Sequence, residues 1–158
     1  SQSRQATRKG RTIMAKAGFL ARFLAFLIDG IMLSIISWLL SLVLVPFVGA
    51  ADATNSNMLA LIAGGIGLVV FVILLFLQFI YFGYLWSKSG QSLGMKVVHI
   101  KVLRRDGAGL SFWRGGFRGT LGYWISGLIF GLGFIWAAFD GRKEAWHDKL
   151  FDTTVVVA

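Results

Sequence analysis

The residues with most chemical potential in this chain stand inside apolar sequence. Arg22 and Asp29 interrupt the run GFLARFLAFLIDGIMLSIISWLLSLVLVPFV, from Gly18 to Val48. On a helix rising about 1.5 Å per residue, Asp29 lies on the order of 15 Å from a boundary near Phe19. That depth is near the middle of a roughly 30 Å hydrocarbon layer. A carboxyl group there costs about 2.5–3.5 kcal/mol on insertion scales, so it is expected to face protein or water. Two readings stay open. Asp29 is a hydrogen-bonded structural group that joins two helices, or it carries a proton or cation. Arg22 lies two turns earlier on the same helix face. Its long stem allows the guanidinium to reach the headgroups. Gln78 interrupts a second apolar run, about 12 Å back from Trp86 and so at a similar depth. The two polar groups are expected to face one protein interior.

The densest polar group is His147-Asp148, with Glu144 one turn earlier. A metal site needs three or four ligands with supporting contacts. One His and a few carboxylates in one short segment fit a structural corner better. In that corner Asp148 accepts backbone N–H groups or pairs with an Arg, and Trp146 anchors at the interface. His147, with an unperturbed pKa of about 6.5, leaves a pH response open. His99 stands alone on an alternating stretch and reads as a packing residue. GQSLGMK is too short for a phosphate loop. No Ser sits in a nucleophile elbow. The chain has no Cys, which excludes disulfides and thiolate chemistry. No catalytic, cofactor-binding or metal-ligating residue is therefore assigned, and no enzymatic activity is expected.

These residues must be positioned by membrane elements. The chain is 56% hydrophobic and only 15% charged, which places it among integral membrane proteins. Its net charge of +9 is spread over segments that flank the apolar runs. That distribution follows the positive-inside rule and argues against nucleic acid as the partner. Residues 1–16 read as a basic cytoplasmic arm against anionic headgroups. Residues 17–158 read as a single membrane domain.

The first span, about 18–48, carries a stripe of small residues, Gly30, Ser34, Ser37 and Ser41, suited to close helix contact. Pro46 is expected to end it. Gly49 to Asn57 has no Lys or Arg and reads as the outer loop. The second span covers about 58–86, with Tyr81, Tyr84 and Trp86 as an aromatic belt at its inner end. Residues 87–119 are basic and cytoplasmic. Within them, Val97 to Leu103 alternates as a half-buried strand. Asp106-Gly107 signals a turn, and Ser111 is placed to cap a helix through Phe112, Trp113 and Phe117. Arg114 and Arg118 put that helix in the interface.

Residues 120–139 form a third apolar segment with Gly127, Gly131 and Gly133 at its centre. It is long enough for one span, but the glycines also allow a re-entrant hairpin. A hairpin keeps Arg142, Lys143 and Lys149 on the inner side, which the positive-inside argument favours. The tail, 140–158, ends in TTVVV, a strand composition. If the tail is cytoplasmic, it can pair with the earlier strand. The expected fold is thus an all-α integral membrane protein. It has two long transmembrane helices, a third Gly-rich segment and a small cytoplasmic β element.

At these residues the chain resembles the RDD family of small bacterial membrane proteins. AGFLARFLAFLIDG is similar to its first-helix signature, with Arg22 at the helix start and Asp29 inside. GQSLGMKVVHIKVLRRDG resembles its G-x-[ST]-x-G stretch followed by a strand and a D-G turn. SFWRGGFRGTLGY resembles its basic helix, with Arg118 as the recurrent Arg. WHDKLFDTTVVV resembles its closing H-D…T-x-V-V motif, which makes Asp148 the second Asp. FDTTVVV departs from relatives that carry small residues before the Thr. The resemblance covers most of Ala17 to Val157 and implies a multi-pass protein of the bacterial inner membrane, N-terminus inside. A sodium/proton exchange role has been proposed for some relatives.

Two functions follow as expectations. The first is a structural or accessory subunit packed in a larger membrane complex, with the bilayer and other membrane subunits or further copies as partners. The second is an oligomeric monovalent cation/proton antiporter using Asp29. Arg22, Asp29, Gln78, Arg118, His147 and Asp148 are the candidate polar residues for either.

Overall fold

The computed structural model describes residues 14–128 and 131–158. Helix α1 (Phe19–Ser41) follows an extended Gly18 and carries mostly Leu, Ile and Phe. A single 3₁₀ turn, Leu42–Leu44, leads directly into α2 (Val45–Thr54). Pro46 therefore opens a helix rather than ending one. In a first helical turn its missing N–H has no helical partner to lose. Residues 49–54, expected as loop, are helical. Ala50, Ala51 and Ala53 are good helix formers, and Thr54 Oγ1 bonds the Ala50 carbonyl at 2.6 Å. The chain reverses at Asn55, which is left-handed with φ 46°.

Helix α3 (Asn57–Ser89) is capped at its start by Ser56, whose Oγ accepts the Leu59 N–H at 3.3 Å. It ends at Gly90, φ 70°, whose N–H bonds the Trp86 carbonyl at 3.0 Å. The segments Phe19–Thr54 and Asn57–Ser89 are each long and apolar enough to cross a membrane. Along both, large apolar side chains such as Ile31, Trp38, Leu61, Leu68 and Phe76 stay exposed, as lipid-facing residues do.

A short helix, α4 (Leu93–Val97), follows. Strand β1 (Ile100–Arg104) is shorter than the alternation suggests. Ser92 caps α4 through the Met95 N–H and draws Lys96 and Val97 into it. His99, at φ 54°, turns the chain into the strand. β1 pairs antiparallel with β2 (Thr153–Val157), Ile100 opposite Val157 and Arg104 opposite Thr153. The tail strand and its partner are those expected. The outer edge of β2 takes up the chain just before α1. Ala17 N–H bonds the Val155 carbonyl at 2.9 Å, and Val157 N–H bonds the Ala15 carbonyl at 2.8 Å.

Between the strands lie α5 (Phe112–Phe117), capped by Ser111, a π-type turn at Arg118–Gly122, α6 (Tyr123–Gly127), α7 (Leu132–Phe139) and α8 (Trp146–Leu150). The helical stretch Phe112–Gly127 and α7 are bent by 90° relative to each other. Gly133 lets them touch: a Cβ there would lie 2.5 Å from the Ser126 Cα. Because β2 lies beside β1 and beside residues 15–17, the third apolar segment returns to the end of the molecule that it left. The start of α1, the end of α3 and the tail all meet there.

The buried core gathers at that end, with Ala17, Ala25, Phe82, Trp86, Met95, Ile100, Val102, Leu110 and Val155. This overturns the expected aromatic belt. Trp86 is fully buried and Tyr81 turns inward, because other elements cover the inner end of α3. Tyr84 alone of the three stays exposed. Of the basic arm, residues 1–13 lie outside the described residues. Lys16 Nζ bonds the Arg142 carbonyl at 2.7 Å.

Candidate functional site: two buried carboxylates

Asp29 is 2% exposed and its carboxylate is bound on both oxygens. Oδ1 accepts the Tyr81 hydroxyl at 2.7 Å and the Gly94 N–H at 2.8 Å. Oδ2 accepts the Ser92 hydroxyl. Ser92 Oγ in turn accepts the Met95 N–H. The carboxylate thus sits at the start of α4 and ties α1, α3 and α4 together. Gly94 is required for the approach. A Cβ there would run into the Ala25 carbonyl of α1 and lie 3.0 Å from the Asp29 carboxyl carbon.

The expectation that Asp29 and Gln78 share an interior is met only in part. Both line an open groove of about 450 Å³, with Ser34, Ser37, Tyr123 and Gly127. Their hydrogen bonds go elsewhere. Gln78 Nε2 donates to the Gly119 carbonyl at 2.8 Å, in the π-type turn. Such a turn shifts the helical hydrogen-bond pattern and frees carbonyls for side-chain partners.

Asp148 is fully buried and is the second centre. Arg22 Nη1 donates to its Oδ2 at 2.6 Å, and Arg118 Nη2 pairs with its Oδ1. The Ala145 N–H donates to Oδ2 at 3.1 Å, and the Thr153 hydroxyl lies 3.3 Å from Oδ1. Arg118 Nε donates to Thr153 Oγ1 at 3.0 Å, and its guanidinium stacks 4.6 Å over the Trp86 ring. Arg22 does not reach for headgroups, as its position suggested. A carboxylate within hydrogen-bond reach is a stronger partner in a low-dielectric site than a screened lipid phosphate. Burial alone would push the Asp148 carboxyl up. The charges of Arg118 and Arg22 outweigh it and hold Asp148 well below the usual carboxylate range.

His147, on α8 outside the two long helices, is buried beside this pair. Its Nδ1 lies 2.9 Å from Ser126 Oγ, which also accepts the His147 N–H at 3.2 Å. The other ring nitrogen, Nε2, lies 3.7 Å from Asp148 Oδ1. Burial pushes the His147 pKa down to about 3; Asp148 opposes this, and the two arginines reinforce it. His147 is neutral at physiological pH. It joins α6 to α8 and packs on Tyr123 and Phe134.

Glu144 pairs with Arg105 at 2.9 Å and with Lys16 at 3.5 Å. Among the described residues no three His, Cys, Asp or Glu converge as metal ligands. The structure therefore joins Arg22, Arg118, His147 and Asp148 in one cluster, and leaves Asp29 and Gln78 on a shared open groove. Tyr81, Trp86, Ser126 and Thr153 belong to these clusters and were not marked as site residues. Ser92 and Gly94 stood in the G-x-[ST]-x-G stretch, a signal for their role. Tyr81 had none, because an aromatic near a helix end reads as an interface anchor.

Two apolar helices, a bent third segment and a buried Arg–Asp–Arg set beneath them define a small multi-pass membrane protein. The chain matches the RDD family over residues 16–152 and belongs to it. It is 37% identical over 147 residues to the "Uncharacterized protein YxaI" of Bacillus subtilis (strain 168), covering 89% of this chain and 96% of that protein. No solved structure matches it.

Proposed function

We propose that this protein is a structural or accessory subunit that packs against other proteins in the bacterial inner membrane, with its N-terminus in the cytoplasm. One observation carries the reading: both buried carboxylates are spent on internal bonds. Asp29 receives three donors, and Asp148 receives two arginines, a backbone N–H and a hydroxyl. Groups so satisfied fix the geometry of the helices. The small-residue stripe of Gly30, Ser34 and Ser41, exposed at Ser34 and half-buried at the other two, then offers a face for a partner's helix. Purification from native membranes in mild detergent tests this. A large complex at fixed stoichiometry is expected; a self-contained oligomer counts against it.

A second reading, an oligomeric cation/proton antiporter, draws on the open groove that Asp29 and Gln78 line together. Two long helices and a bent segment do not enclose a path alone, so further copies must complete it. Proton flux in liposomes separates the two readings. Transport that is lost in Asp29→Asn, with insertion intact, favours exchange.

A further inference from the structure

A second groove runs along the two long helices, distinct from the one that Asp29 lines. It holds about 360 Å³, and its walls include Leu33 and Ile36 of α1 and Leu74, Leu77, Ile80 and Tyr81 of α3. Leu74, Tyr81 and Lys88 follow at intervals of two helical turns, so they share one face of α3. About 10 Å of helix separates Leu74 from Tyr81, and as much again separates Tyr81 from Lys88. Lys88 is exposed, and its Nζ stands 5.8 Å from the centre of the Tyr84 ring. The start of α4 closes the same end of the groove, where the Leu93 N–H donates to the Tyr81 hydroxyl at 3.2 Å. Leu93, Lys96 and Val97 form the exposed face of that short helix. An apolar groove therefore leads up to two exposed lysines. Neither pairs with a carboxylate among the described residues. Asp106, Asp140, Glu144, Asp148 and Asp152 each already hold another cation.

We propose that this groove binds one anionic phospholipid, with an acyl chain between α1 and α3 and the phosphate against Lys88 and Lys96. The matching charge must come from outside, since these carboxylates are taken. Lysine stems follow apolar surface while the ammonium meets a headgroup, and each lysine near an anionic bilayer adds to the attraction. An acidic protein segment would answer the lysines but leave the groove, which opens at hydrocarbon depth, unfilled. A lipid chain lying there packs on the Tyr81 ring, whose hydroxyl donates to Asp29. The bound lipid thus braces the joint of α1, α3 and α4.

The test uses the full chain in a nonionic detergent, titrated with dioleoyl phosphatidylglycerol or with dioleoyl phosphatidylcholine, which has the same chains and no net charge. Bound lipid is counted by native mass spectrometry. Phosphatidylglycerol is expected to saturate one tight site, about 30-fold more strongly than phosphatidylcholine, because two lysines face it. Lys88→Gln/Lys96→Gln should abolish that preference. Lys143→Gln, which removes an exposed lysine from the turn before α8, should keep it. Leu77→Trp fills the groove, spares both lysines and should remove the tight site. The wild-type comparison of the two lipids needs no variant. Equal binding of the two lipids, or binding of phosphatidylglycerol that never saturates, overturns the proposal. So does an unchanged preference in the double lysine variant, an equal loss in Lys143→Gln, or an intact site in Leu77→Trp.

Discussion

Asp148→Asn removes the charge from the centre of the cluster and hardly changes its shape. Arg22 and Arg118 then face a neutral amide, so two buried cations lose their common partner. Breaking a buried pair from one side costs about 3–5 kcal/mol. At this chain length each kcal/mol moves the unfolding temperature by about 2–4 °C, so a fall of about 6–20 °C is expected. Near-UV circular dichroism in detergent is a suitable readout, because Trp86 packs on Arg118. Coupling provides the sharper test. Arg22→Met alone leaves Asp148 with Arg118 and costs about 1–3 kcal/mol. In the double variant Arg22→Met/Asp148→Asn, one of the two stranded cations is gone. Its loss should fall short of the sum of the single losses by about 0.5–3 kcal/mol. Additivity within about 0.5 kcal/mol, or an Asp148→Asn variant that melts like wild type, would refute the shared-carboxylate account.

Three further expectations follow from the same geometry. His147 is neutral when folded and has a folded pKa depressed to about 3, so the unfolded chain binds its proton first as pH falls. Stability should be level above about pH 7 and decline from about pH 6.5 downward. His147→Gln should flatten that decline in a series of melts across pH, and an unchanged slope would assign it elsewhere. Asp148 acts with the same sign at lower pH: its depressed pKa keeps its contribution intact above about pH 4, and loss comes only below. Gly94→Ala forces α4 away from the Ala25 carbonyl and opens the bonds to Asp29. A loss of about 1–3 kcal/mol is expected from overpacking alone, with faster hydrogen exchange at residues 93–97; protection equal to wild type would count against the contact. Finally, the chain has no Cys, so single cysteines report topology cleanly. Cysteines at Lys101 and Thr154 should label from one side of the membrane, and a cysteine at Asn55 from the other. Label on Thr154 from the Asn55 side would make the third segment a through-going span.

Pattern and composition alone established the membrane class, because apolar runs of this length have no other stable solvent. They located Arg22, Asp29, Gln78 and the His147-Asp148 corner, because polar groups stand out against such runs. They also allowed the tail strand to pair with the earlier one, on the condition that the tail stays on the inner side. Partner choice lay beyond them. Nothing local tells Arg22 to seek Asp148, which is 126 residues away, rather than the headgroups. The antiparallel pairing of β1 with β2 swings α8 under α1, and only then is the carboxylate within reach. Burial decided the rest. Tyr81 and Trp86 follow the pattern of interface anchors, yet the folded tail and α4 cover them and make them partners of Asp29 and Arg118. Pro46 shows the same limit in miniature, since the type of residue permits either an end or a beginning and the surrounding alanines chose the beginning. Local sequence determines which groups cannot face lipid; tertiary packing decides which of them meet.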